Sequence, residues 1–88
     1  MNRLTYDDLQ AMLLSAQQRV PVGTVWRHYN GTQYSVMNIA VLEATDEPAV
    51  VYASVEHPDV LFVRTVSSWL EPVKMDAKTS PRFVRVEG

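Results

Sequence analysis

The chain has no cysteine among its 88 residues. That absence excludes a disulfide framework, a thiolate zinc site and a Cys nucleophile, and it is compatible with a reducing cytosol. Glycine is scarce and scattered at positions 23, 31 and 88, so no glycine-rich loop exists to cradle a phosphate. The histidines are His28 and His57, which without a carboxylate cluster fall short of the three protein ligands of a catalytic zinc centre. Neither a metal nor a cofactor is expected. A dominant charge is also missing, because 8 Lys and Arg against 10 Asp and Glu leave a net charge of −2. Such a balance draws the chain to neither phosphate backbones nor anionic membranes, and nucleic acid is a disfavoured partner. No apolar run approaches the roughly 20 residues needed to cross a bilayer. Asp7 and Asp8 interrupt the opening MNRLTYDDLQ where a signal peptide needs a continuous apolar core, so a cytoplasmic protein without membrane contact is expected.

What remains is globular in character. Hydrophobic residues make up 47% and charged residues 20%, which predicts one folded domain over residues 1–88. A domain this short removes only about 60–65% of its unfolded surface from water, so self-association would widen a thin margin of stability.

Up to Val20 the pattern is helical. Tyr6, Leu9, Met12, Leu13, Ala16 and Val20 recur at spacings of three and four, which predicts a helix over 4–20 with one buried stripe. Thr5 can cap it, Asp7 and Asp8 suit its positive end, and Pro21 and Gly23 stop it. From residue 23 onward, a β unit is predicted. Val25–Tyr29 leads through Asn30-Gly31 into Gln33–Val36, and Asn-Gly is the preferred pair for a two-residue type I′ hairpin. The second strand runs on to Leu42 with apolar residues on both alternating faces, as if both were covered. Further strands are expected at Ala49–Val55, Val60–Thr65 and Arg82–Val86, with a helical turn near Ser67–Leu70 and a polar loop from Lys74 to Ser80. Five short strands with tight connections fit a mainly β fold with an N-terminal α-helix. The expected form is a small Src-homology-3-like antiparallel barrel or a strongly curved five-stranded sheet, with an open α+β sheet as the second architecture.

The stretch from Gly23 to Val36 has a Gly, the aromatic Trp26, the pair His28-Tyr29, Gly31, and Tyr34 two residues before Val36. Ala40, Val50-Val51-Tyr52, Phe62-Val63-Arg64, Trp69 ahead of Glu71, and Pro81-Arg82-Phe83 follow in order. Over residues 23–86 this ordered set resembles the domain of unknown function 1653 family of small bacterial and phage proteins. Asn30, Leu42 and Thr65 stand where that family usually has Lys, His and Pro. The resemblance implies a compact β-rich domain and no established activity.

No catalytic constellation stands out. Ser67 or Ser68, His28 and Asp59 form a triad only on paper, lacking a nucleophile elbow or oxyanion loop, so a non-enzyme is expected. The more informative set is aromatic and cationic: Trp26, Arg27, His28, Tyr29, Arg64 and Trp69. By strand alternation Trp26 and His28 share one face while Arg27 and Tyr29 share the other, so the six cannot form one pocket. Arg64 leads the set, because a charge beside Phe62 among apolar neighbours is costly unless paired. It serves either as a strut to Glu43, Glu47 or Glu71 or as a ligand for something bound. The expected function is a binding or adaptor module acting through an aromatic and Arg-lined surface on a protein partner or on itself as a homo-oligomer. The alternative is a protein sequestering an anionic or nucleotide-like small molecule.

Overall fold

The computed structural model of the chain describes residues 4–86, so residues 1–3 and 87–88 of the expected domain lie outside the described residues. Helix α1 spans Tyr6–Arg19. Its start is a reciprocal capping box: the Asp8 N–H donates to Thr5 Oγ1 at 3.1 Å and the Thr5 N–H donates to Asp8 Oδ2 at 3.0 Å. The bond from the Thr5 backbone holds the Asp8 carboxyl below its ordinary pKa. Only part of the expected stripe is buried. Ala16 and Val20 are inside, Leu9, Met12 and Leu13 are half-buried, and Tyr6 in the first turn points into solvent at 73% exposure.

Strands β1 (Val25–His28), β2 (Gln33–Leu42), β3 (Glu47–Ser54) and β4 (Phe62–Thr65) are followed by the short helix α2 (Val66–Leu70). Strands β5 (Pro72–Met75), β6 (Lys78–Pro81) and β7 (Phe83–Val86) complete the described chain. Five strands form one antiparallel sheet in the order β4-β3-β2-β1-β7, and β5 and β6 form a separate two-stranded sheet. The fold is mainly β with an N-terminal helix. The sheet is not closed into a barrel, since its edges β4 and β7 do not pair with each other. Helix α1 packs on β2 and β3, and α2 on β3 and β4.

Three local expectations are corrected. The β1–β2 turn is not a two-residue type I′ turn. Asn30 lacks the positive φ that such a turn demands, whereas Gly31 has φ +99°. The Gly31 N–H donates to the His28 carbonyl and the His28 N–H to the Thr32 carbonyl, both at 2.8 Å. This is a three-residue loop, Tyr29-Asn30-Gly31, closed by a glycine bulge, and it lifts Tyr29 out of the strand. Next, the doubly apolar look of β2 comes from a β-bulge between Val36 and Asn38. Met37 is the extra residue, so Val36 and Ile39 are both buried although an odd number of positions apart, and Met37 is exposed. Finally, Lys74–Ser80 is a hairpin instead of a loop. Asp76, at φ 57°, turns the chain so that Met75 faces Lys78.

The core unites Ala16 of α1 and its C-cap residue Val20 with Trp26, Val36, Ile39, Val50, Tyr52 and Phe83 of the sheet and Val66 and Trp69 at α2. Thr24 fastens the exit of α1 to this core: Trp26 Nε1 donates to Thr24 Oγ1 at 2.9 Å, and that hydroxyl donates to the Pro21 carbonyl at 2.6 Å. Trp69 lies flat on Phe83, with centroids 3.7 Å apart and planes 5° from parallel. Phe83→Ala should therefore cost about 3–5 kcal/mol, measured by urea unfolding. A loss below about 1 kcal/mol would show that the stack does not anchor the core.

Candidate functional site

The register of the sheet decides which side chains meet. The opposed pairs Trp26 with Tyr34, His28 with Phe83, Val36 with Tyr52, Tyr52 with Phe62, and Val50 with Arg64 place all these residues on one face. Their rings form a continuous edge-to-face array. Tyr34 lies 5.2 Å from Tyr52 and 6.5 Å from Phe62, and His28 lies 5.0 Å from Phe83, centroid to centroid. Phe62 at the sheet edge is 45% exposed and Tyr29 in the loop 50%, so the array emerges at the surface.

Arg64 is set into this array. Its Nε donates to Tyr52 Oη at 3.4 Å, its Nη1 donates to Ser68 Oγ at 3.0 Å, and its Cζ lies 5.8 Å from the Phe83 ring centre. Both hydrogen-bond partners are neutral. Among the described residues no carboxylate forms an ion pair with Arg64. Glu71, one of its expected partners, is bound by Arg82 instead, at 3.4 Å from Nη2 to Oε1. Of the five N–H donors of a guanidinium, those not directed at Tyr52 and Ser68 remain for something else. Elsewhere Trp69 Nε1 and Arg82 Nε are buried with no hydrogen-bond partner among the described residues.

His28 completes the set. Its Nδ1 accepts from the Asn30 N–H at 3.2 Å, which leaves the proton of the neutral ring on Nε2. Burial pushes its pKa below the ordinary value, repulsion by Arg64 and Arg82 adds to the effect, and the Asn30 side chain opposes it. The cluster thus offers donors and positive charge in excess of acceptors, which is the chemistry of a carboxylate or phosphate receptor. Among the described residues no group of His, Asp and Glu is arranged to hold a metal, and no helix is long and apolar enough to cross a membrane. Ser68 Oγ is bound by Arg64, and Ser67 Oγ lies 3.3 Å from Thr65 Oγ1. The paper triad with His28 and Asp59 is therefore not assembled.

The sequence profile described as "Protein of unknown function (DUF1653)" matches residues 24–85. The chain belongs to this family. A crystal structure of a DUF1653 protein from Bordetella bronchiseptica is similar to it at 35% identity and a TM-score of 0.60, covering 70% of this chain and 82% of that one. Among curated proteins no relative matches. The matched span of this DUF1653 domain contains all of Trp26, His28, Tyr34, Tyr52, Arg64, Trp69 and Phe83.

The six sequence candidates separate into three groups. Arg64 and His28 sit in the donor cluster, and Tyr29 joins them because its loop position frees it from strand alternation, its ring lying 4.2 Å from that of His28. Trp26 and Trp69 are core residues, 9% and 1% exposed. Arg27 is exposed and opposes Gln33 and Val84 on the other face of the sheet. Arg82, whose charge acts on His28, was not singled out from the sequence. Its signal was adjacency to Phe83 on a closing strand, but its proximity to His28 depends on the β1–β7 pairing. A cleft of about 660 Å³ lies between the β1–β2 loop and the segment at the end of β3, lined by residues 30–33 and 54–57, and holds none of the six candidates.

Because folding lowers the pKa of His28, the stability it contributes is complete above the unfolded value near 6.5 and is lost as pH falls through the folded value. NMR titration of the ring should give a His28 midpoint below 6.5 that rises toward it in Arg64→Gln. An unmoved midpoint would remove Arg64 from the local field.

Proposed function

We propose that this DUF1653 domain is a non-catalytic binding module whose aromatic and arginine face takes a carboxylate from a protein partner, with an apolar or aromatic side chain of that partner resting on the neighbouring rings. The observation that carries the reading is Arg64, a half-buried guanidinium held by two neutral hydroxyls with no carboxylate among the described residues to neutralise it. A purely structural arginine at this position would be matched by an acid, because an uncompensated half-buried charge is a standing cost. Openness favours a protein over a small molecule. Small ligands are usually enclosed over 70–90% of their surface, whereas Arg64, Tyr34 and Phe62 line none of the three clefts formed by residues 30–33 with 54–57, by Ser67, Ser68, Leu70 and Glu71, and by residues 22–25 with 85–86.

The test is titration of the labelled protein with short peptides carrying Glu or Asp beside an aromatic residue, and in parallel with nucleotides, following the Arg64 Nε and His28 ring signals. Acidic aromatic peptides should shift both signals, and Arg64→Gln should weaken binding roughly 10- to 100-fold, the worth of a charge-assisted hydrogen bond. Saturable binding of nucleotides alone would replace the reading with the small-molecule one. No response to either set would contradict both.

A further inference from the structure

His28 is half-buried and meets the ring of Phe83 at 5.0 Å, the same ring whose centre lies 5.8 Å from Arg64 Cζ. Phe83 thus links the imidazole to the guanidinium. Arg82 reaches the same place from the start of β7, where its carbonyl accepts at 3.0 Å from the N–H of Tyr29, the residue after His28. The other rings against His28 are those of Tyr29 at 4.2 Å and Tyr34 at 6.3 Å. Among the described residues, the charges that act on the imidazole are both guanidiniums, Arg64 from β4 and Arg82 ahead of β7.

We propose that His28 is a proton switch on the Arg64 site: a proton taken up by its ring rearranges the β1–β2 loop and adds a third positive charge beside Arg64 and Arg82, so that anion binding and proton uptake are coupled. The inference rests on the anion-binding reading of Arg64. Hydrogen bonds give the switch its two positions. In the neutral ring Nδ1 accepts from the Asn30 N–H at 3.2 Å, so the loop is tied to an acceptor that exists only while that nitrogen carries no proton. A protonated ring donates from both nitrogens, and this bond is lost. Asn30 also supplies the replacement. Its Oδ1 accepts from the Thr32 N–H at 2.9 Å and has a second lone pair for a proton on Nδ1, and the Asn30 side chain favours the charged ring. The loop that changes partners carries the exposed ring of Tyr29. Electrostatics connects it to the anion. Burial and the two guanidiniums favour the neutral imidazole, and an anion beside Arg64 offsets that repulsion. Binding therefore raises the His28 pKa, and by reciprocity a proton on His28 strengthens binding by the same factor.

Inorganic sulfate is the probe for the test, because its charge is constant from about pH 8 to about pH 5, the range in which imidazole titrates. Its affinity for the full chain is measured across that range at constant ionic strength, with the His28 ring and the Asn30 amide followed by NMR. Binding should be roughly ten-fold tighter at the acid end. Saturating sulfate should raise the His28 midpoint, and the Asn30 amide signal should move with that midpoint. His28→Gln keeps a polar side chain that cannot titrate, so its affinity for sulfate should no longer depend on pH. If that variant fails to fold, the NMR readings on the native chain decide the matter. An affinity flat with pH in the native chain, a His28 midpoint unmoved by saturating sulfate, or a pH dependence that persists in folded His28→Gln would overturn the coupling and leave the Arg64 reading standing. An Asn30 amide indifferent to the His28 titration would overturn the loop exchange. Absence of sulfate binding at every pH would overturn the switch and the Arg64 reading together.

Discussion

The parallel stack of Trp69 on Phe83 is the contact on which the rest of the structure depends. One ring comes from α2, which follows β4, and the other from β7. Their contact holds α2 against the sheet that β7 completes. Trp69 meets Trp26 and Tyr52 at its edges, and Phe83 meets His28, Tyr34 and Tyr52. In a chain of 88 residues with no disulfide, this ring network supplies much of the shape-specific packing that a larger domain would spread over many aliphatic contacts. It also builds the platform on which Arg64 rests.

That platform gives one composition two uses. Rings that are fully buried at Trp69 and Phe83 grade through the half-buried His28 and Tyr34 into the exposed Phe62 and Tyr29. The polar groups along this gradient are donors: the guanidiniums of Arg64 and Arg82, the indole of Trp69 and the imidazole of His28. Neutral hydroxyls from Tyr52 and Ser68 fix the position of Arg64 without cancelling its charge. The proposed function rests on this arrangement, since an anion binding to an already positioned cation would not have to order that side chain.

Much of the architecture is legible in the sequence. The cap at Thr5, the break at Pro21 and Gly23, the strand at β3 and the short helix before Glu71 follow from local chemistry. Where local reading failed, a single residue changed the count. Gly31 takes the left-handed conformation alone, which makes a three-residue loop and frees Tyr29, and Met37 inserts a bulge that a strict period of two cannot anticipate. Asp76, in the left-handed region open to Asp, turns a polar stretch into a hairpin. The candidate site was legible in its key residue, since a charged residue among apolar neighbours is visible in one dimension. The near approach of Arg82 to His28 was not, because it arises from the pairing of strands separated by more than fifty positions.

No carboxylate among the described residues neutralises Arg64, and the proposed function has this cation take an anion. The most direct measurement is the melting temperature of the protein and of Arg64→Gln as inorganic phosphate replaces chloride at constant ionic strength. A saturable rise is expected in the native chain and none in Arg64→Gln, since an anion bound only by the folded state stabilises it. Equal responses in the two proteins, or none in either, would contradict it.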